Sequence, residues 1–155
     1  MNEKRILLYF IVFAIMIPLH ATKGDRIEKV KKNQAIMNQR NSLIAAINKF
    51  QKDELKPLAN EYYRREFDWP CKNQFMLTQA TLNLDKTYSF FTEELKKHST
   101  NKIALKETAS QINSTCLSCL NLEKSVLTFC IASNFIKSKS FQNIQACCKE
   151  ILDKK

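Results

Sequence analysis

Glycine is almost absent from this chain, since Gly24 is the only one among 155 residues. Tight β-hairpin turns depend heavily on glycine and on Asn-Gly pairs, because their central residues adopt positive φ angles. Helices joined by polar loops need neither. The scarcity of glycine therefore argues against a β-sandwich and predicts an all-α fold.

Histidine is nearly as scarce, and His98 is the only one beyond residue 20. Ser-His-Asp or Cys-His catalysis would depend on this one side chain, which lies in a polar stretch typical of solvated surface. A zinc site would need further cysteine or histidine pairs at ligand spacing, and the adjacent Cys147 and Cys148 do not provide one. We expect no enzymatic activity, no catalytic residue, no metal and no cofactor.

Long apolar runs are also missing. The longest extends from Ile6 to Leu19, 14 residues against the roughly 20 that span a membrane. It follows Lys4 and Arg5 and precedes small residues, which is typical of a secretory signal peptide. The sequence predicts a signal peptide over residues 1–21, cleavage between residues 21 and 24, and a mature domain over residues 22–155 with no membrane span.

A glycosylation sequon adjoins a pair of cysteines. Asn113-Ser114-Thr115 is followed directly by Cys116 and, three residues later, Cys119. Glycosylation of Asn113 requires the secretory pathway, which also favours disulfides over thiols. We therefore expect a secreted, extracellular glycoprotein whose mature part holds six disulfide candidates: Cys71, Cys116, Cys119, Cys130, Cys147 and Cys148.

Two interpretations of these cysteines compete. A thioredoxin-like redox site would need a βαβ setting, which the sequence does not indicate, so structural disulfides are favoured. Our pairing hypotheses join Cys71 to Cys116 or Cys119, and Cys130 to Cys147 or Cys148. The adjacent cysteines point in different directions, so they serve two partners or leave one thiol unpaired.

Apolar periodicity predicts a bundle of helices. The clearest stripe recurs at helical spacing within a predicted helix over residues 72–97: Leu77, Ala80, Leu84, Tyr88, Phe91 and Leu95. A first helix is predicted over residues 25–52 with Asp25 as its N-cap, and further helices over 102–113, 119–137 and 140–153. The intervening residues 53–70 are predicted to form a crossing segment between helices.

The net charge of +10 favours acidic partners such as receptor surfaces or sulfated glycans. Nucleic acid is not expected, because the chain lacks a basic-aromatic motif. Candidate steering residues on the first helix are Arg26, Lys29, Lys32 and Arg40.

Several short motifs resemble one cytokine family. Cys116-Leu117-Ser118-Cys119 followed by Leu122-Glu123-Lys124 is similar to the segment before the last helix of interleukins 15 and 21, and the preceding sequon is similar to interleukin 15. Asp68-Trp69-Pro70-Cys71 lies where that family has its A–B cysteines, and Thr128-Phe129-Cys130 is similar to the last helix of interleukin 2. The chain thus resembles the short-chain four-helix cytokines of the interleukin 2, 15 and 21 group, with interleukin 7 as a related alternative.

The resemblance implies an up-up-down-down bundle that binds cell-surface receptors, including the common γ chain, and signals to leukocytes in the immune response. Its receptor surfaces would lie on the first, third and last helices. The family has two cysteines in the A–B region, whereas this chain has Cys71 alone, and Ile131 follows Cys130 where a γ-chain glutamine is expected. Ile131 is therefore a further candidate receptor contact.

A different class of protein is the alternative. A small saposin-like lipid-binding or membrane-active protein would also be helical, basic and rich in cysteine. Saposin-like domains carry their paired cysteines near the start, however, while the CxxC of this chain comes late. The cytokine interpretation is therefore preferred.

Overall fold

The computed structural model of the chain describes residues 3–68, 72–98, 100–121 and 138–154, and side chains within 24–64, 75–98, 100–118 and 138–154. Over these ranges the regular structure is entirely helical, without a strand, which confirms the predicted all-α fold. The elements are α1 (Glu3–Phe50), a π-helical turn (Gln51–Leu55), α2 (Lys56–Asp68), α3 (Lys72–Lys97), α4 (Lys102–Asn121) and α5 (Lys139–Asp153).

The chain divides into two units, residues 1–35 and residues 36–155. The first unit holds the beginning of α1, and its described side chains form no core, since Ile27 and Val30 are 57% and 66% exposed. The predicted start at Asp25 is wrong: α1 begins at Glu3 and continues through Gly24, which has no positive φ angle to end it. The predicted signal peptide lies where side chains are outside the described residues, and it stays a prediction.

The second unit has one hydrophobic core. The sequence stripe of α3 contributes Tyr88, Phe91 and Leu95 to it, while Leu77 and Leu84 pack partly buried at its edge. Ala80 was predicted to join this stripe but is exposed. Within this unit α2 packs on α3, α3 on α4, and α4 on α5. No described helix is long and apolar enough to cross a membrane.

Phe50, the last residue of α1, occupies the centre of this core. Its ring lies 5.4 Å from that of Tyr88 on α3 at an interplanar angle of 74°, and 5.4 Å from that of Phe141 on α5 at 54°. Edge-to-face and tilted geometries direct the positive edge of one ring towards the negative face of another. One fully buried aromatic side chain therefore joins three helices.

The predicted crossing segment over residues 53–70 is wrong, because the chain forms the π turn and α2 there. Proline lacks an N–H, and in an α-helix the ring of Pro57 would meet the carbonyl of Asp53. A wider turn precedes it, in which the N–H of Lys56 donates to the carbonyl of Gln51, five residues earlier. Leu55, at the end of the π turn, is buried, and the buried residues Ala59 and Tyr62 follow at helical spacing on α2.

The π turn carries two polar anchors. The first is the buried side chain of Gln51, whose Nε2 donates to the Asp85 carbonyl at 3.0 Å, to Asp85 Oδ1 at 2.8 Å and to Ser89 Oγ at 2.9 Å. Buried amides are costly unless their hydrogen-bonding groups are satisfied. These contacts attach the turn to two successive turns of α3.

The second anchor is Glu54. Its Oε1 accepts a hydrogen bond from Ser138 Oγ at 3.0 Å and a longer one from Ser140 Oγ at 3.5 Å. Ser138 is also the N-cap of α5, since its Oγ accepts from the N–H of Phe141 at 3.2 Å. A carboxylate on the π turn thus holds the beginning of the last helix.

The bounds of the later helices agree only partly with the sequence. The helix predicted over 140–153 is confirmed as α5. The helix predicted over 102–113 instead extends to Asn121, after an N-terminus capped by Asn101 Oδ1, which accepts from the N–H groups of Ile103 and Ala104. Of the helix predicted over 119–137, residues 122–137 lie outside the described part of the chain.

We expect Gln51→Ala to destabilise the fold by about 2–3 kcal/mol, because it removes the three part-buried hydrogen bonds that join Gln51 to α3. Thermal and urea unfolding followed by circular dichroism would measure the change. Gln79→Ala, at an exposed position of α3, is the matched control and should change stability by less than about 0.5 kcal/mol. Equal stability of the two variants would contradict a structural role for the Gln51 contacts.

Ser138→Ala should cost about 1–2 kcal/mol, since it removes both the cap of α5 and the contact with Glu54. Urea unfolding again gives the measurement. Ser140→Ala removes only the 3.5 Å contact and serves as the control. A loss of stability in Ser140→Ala as large as in Ser138→Ala would contradict this account.

Candidate functional site

The outward side of α3 exposes large apolar side chains. Phe75, Leu82 and Phe90 are 51%, 39% and 57% exposed. At 100° per residue they lie within about 80° of one another, on the side of the helix opposite the buried stripe. We call Phe75, Leu82 and Phe90 the outer face of α3. Large apolar side chains exposed along one side of a helix are a feature of surfaces that bind a partner.

One residue of the outer face, Phe90, is connected to the core through aromatic rings. The ring of Phe90 lies 6.0 Å from that of Phe91, which is buried and in turn 6.3 Å from the ring of Tyr88. Adjacent aromatic residues thus connect the surface to the core. The polar surroundings include exposed Lys86 and the ion pair of Glu93 with Lys96, whose Nζ and Oε1 are 2.7 Å apart. Hydrogen bonding to Lys96, with its positive charge, lowers the pKa of Glu93.

The basic candidates of the first unit are all at the surface. Arg26, Lys29 and Lys32 are exposed on α1, and Lys32 Nζ pairs with Glu28 Oε1 at 2.7 Å. The hydrogen bond and the opposite charges lower the pKa of Glu28 and raise that of Lys32. Lys32 therefore has its charge partly compensated, whereas the structure describes no ion pair for Arg26 or Lys29.

Arg40 and Ile131 complete the predicted receptor contacts. Arg40 is half-buried in the second unit, and its Nε and Nη2 donate to Asn41 Oδ1 at 3.2 and 2.9 Å. This neighbouring amide orients the guanidinium without neutralising its charge. Ile131 lies outside the described residues, so its role stays a prediction.

The sequon lies on α4. Asn113 is half-buried, and the hydroxyl of Thr115 donates to the carbonyl of Gln111 at 2.9 Å, so this part of the sequon is helical. Leu117 and Ile103 are exposed on the same helix, at 45% and 72%. Glycosylation of Asn113 stays a prediction.

The cysteines are distributed between core and surface. Cys116 and Cys148 are fully buried, while Cys147 is half-buried, and Cys147 and Cys148 carry free thiols. No disulfide occurs among the cysteines whose side chains the structure describes. Cys71 and Cys130 lie outside the described residues, as does the side chain of Cys119, so the predicted pairings remain untested.

The described side chains contain no group of three histidine, cysteine, aspartate or glutamate residues able to hold a metal ion. A shallow depression lined by Pro57, Asn60, Glu61 and Arg64 runs along α2. It juxtaposes one carboxylate with one guanidinium and brings no nucleophile to them. The outer face of α3 is the more distinctive surface.

No family model, curated protein or solved structure matches this chain. The candidate site therefore rests on geometry alone.

Sequence reasoning missed the outer face of α3. The apolar stripe predicted for α3 includes none of these three residues. Phe75, Leu82 and Phe90 recur at spacings of seven and eight, which is itself a helical signal. Extending the periodicity analysis to a second stripe would have found them.

The thiols of reduced protein should react at very different rates. Burial, followed by the nearby Cys116 and Cys147, raises the pKa of Cys148 to about 12, whereas Cys147 is less buried. Because the thiolate is the reactive form, iodoacetamide at pH 8 should label Cys147 first. Fragment-ion mass spectrometry of the peptide over residues 140–149 distinguishes the two sites. Faster labelling of Cys148 would contradict its burial.

Proposed function

We propose that this chain is a secreted helical cytokine that binds receptor chains on leukocytes through the outward sides of its helices. The observation that carries the proposal is the outer face of α3. Phe75, Leu82 and Phe90 are exposed along one side of a helix whose opposite side is packed into the core.

Exposed aromatic anchors within a polar rim are typical of protein-binding surfaces. A few such side chains supply most of the binding free energy of an interface, and their polar neighbours exclude water around them. Support from Phe91 and Tyr88 holds Phe90 in place before binding. Preorganisation of this kind lowers the entropy lost when a partner docks.

The finer features of the proposal come from the family resemblance. They are an up-up-down-down arrangement, disulfides between helices, a glycan on Asn113 and recognition of the common γ chain. The exposed cations Arg26 and Lys29 support electrostatic steering towards acidic receptor surfaces or acidic glycans. Ile131 remains a candidate for the γ-chain contact.

A second candidate function is binding to lipid surfaces, as in saposin-like proteins. The observation in its favour is on α1, where exposed Ile27 and Val30 alternate with the cations Arg26, Lys29, Lys31 and Lys32. Such a segment can lie on an anionic membrane with its apolar residues inserted. Only two exposed aliphatic side chains contribute there, so receptor binding is preferred.

Expression of the full chain in mammalian cells tests both functions. We expect the protein in the medium, with an N-terminus between residues 22 and 25, and phosphorylation of STAT proteins in lymphocytes. Loss of that signal in cells lacking the common γ chain would support the γ-chain assignment, and its persistence would indicate another receptor. No signal from folded protein on any leukocyte, together with flotation on anionic vesicles, would overturn the proposal in favour of lipid binding.

Phe90→Ser should lower signalling potency about 30-fold, the effect of losing an anchor worth about 2 kcal/mol. Because Phe90 is exposed, the unfolding temperature of the Phe90→Ser variant should stay near that of the wild-type protein. Ile103→Ser is the control, because it removes an exposed apolar side chain from α4 instead of α3. Its signalling potency should stay within about threefold of that of the wild-type protein. Wild-type potency in Phe90→Ser and in a Leu82→Ser variant would exclude the outer face of α3 from binding.

A further inference from the structure

Two buried cysteines belong to helices that pack against each other. Cys116 belongs to a buried stripe on α4, and Cys148 belongs to a buried stripe on α5. Both have no exposed surface, and both lie in the same core cluster. The contact between α4 and α5 is among the most extensive in the second unit. The stripes are Leu105, Ala109, Ile112 and Cys116 on α4, and Phe141, Ile144, Cys148 and Ile151 on α5.

The pKa of Cys148 also reflects the presence of Cys116. After burial itself, the charge of Cys116 is the next strongest influence that raises the pKa of Cys148, ahead of that of the adjacent Cys147. A Coulombic effect falls with distance, which agrees with a position of Cys116 near Cys148 across the contact between α4 and α5. Cys147 is half-buried and packs against the edge of the core.

We propose that Cys116 and Cys148 form a disulfide that joins α4 to α5 within the core. The inference rests on the proposed secretion, because a disulfide persists in an oxidising compartment. In the reaction the two thiols together lose two protons and two electrons as the S–S bond forms. A donor disulfide, such as oxidised glutathione, accepts them and becomes two thiols.

The surroundings of Cys116 suit this bond. The hydroxyl of Tyr88 lies 3.2 Å from Cys116 Sγ, and either atom can be the donor. When the sulfur loses its hydrogen, the hydroxyl of Tyr88 can donate to it. The buried hydroxyl therefore retains a hydrogen bond to sulfur in both oxidation states.

The bond must form before the core closes. With its pKa at about 12, Cys148 is almost entirely protonated at neutral pH, and only the thiolate attacks a donor disulfide. Oxidation therefore accompanies folding, and the folded, reduced protein should oxidise slowly. Once formed, the disulfide is shielded from external thiols by the same packing.

The proposal also decides between the sequence-based alternatives. With Cys116 and Cys148 joined, the pairings that remain among our sequence-based hypotheses are Cys71 with Cys119 and Cys130 with Cys147. Each of these was one of two options from the sequence, and together they use all six cysteines. The adjacent Cys147 and Cys148 then serve two different partners, as side chains that point apart require.

Disulfide mapping tests the proposal without reference to receptors. The full chain is secreted from mammalian cells and, separately, refolded from the reduced, unfolded state in a glutathione buffer. After alkylation of thiols under denaturing conditions, digestion with trypsin and chymotrypsin should yield a peptide linked through Cys116 and Cys148. A Cys147→Ser variant leaves one cysteine in the peptide over residues 140–149 and makes the assignment unambiguous. A link from Cys116 to Cys71 or Cys130, or alkylated Cys148, would overturn the proposal.

Unfolding temperatures supply an independent check. We expect the unfolding temperature to fall by a similar amount, of the order of 10 °C, in Cys116→Ala, in Cys148→Ala and in the double variant. All three variants lack the same disulfide. Under reducing conditions the losses should become smaller and additive. If, under oxidising conditions, the fall in unfolding temperature of the double variant equals the sum of the falls in the two single variants, the disulfide is contradicted. Since the refolded sample needs no secretion or receptor, a negative signalling assay and a negative disulfide map are distinguishable outcomes.

Discussion

The second unit depends on how the chain passes Pro57. An α-helix cannot continue unchanged through a proline, and the π turn over Gln51–Leu55 absorbs the conflict with one wider turn. Its two polar side chains then make contacts far apart in sequence, Gln51 to α3 and Glu54 to the start of α5. With the ring of Phe50 directly before it, this turn positions most of the elements that share the core.

That arrangement explains the two sides of α3. The hydrogen bonds from Gln51 and the ring of Phe50 orient one side of the helix inward, so Tyr88 is buried. The opposite side must then face solvent, although Phe75, Leu82 and Phe90 are as apolar as many core residues. Burial of such side chains by a partner is favourable, at about 25 cal/mol for each Å² removed from water. The packing of the core thus leaves three large apolar side chains exposed on the other side of α3.

Much of this architecture could be predicted from the sequence. The scarcity of glycine predicted helices, and the periodicity located α3 and α5 closely. Local patterns failed where a contact distant in sequence decides the conformation. The sequence predicted that the first helix ends at residue 52, yet contacts of Gln51 and Glu54 with residues 34 to 86 positions away support a π turn and a further helix. The outer face of α3 was also missed, because composition alone cannot separate an exposed apolar stripe from a buried one.

The sequence by itself determined the helical class, the positive charge, the sequon and the number of cysteines, since each follows from residue type and local spacing. Only the tertiary structure decided which apolar side of α3 is buried and which cysteines of α4 and α5 lie in the core. The physical reason is that both outcomes depend on contacts between helices. Those contacts are set by side-chain volume and hydrogen bonding in three dimensions, which helical periodicity does not record.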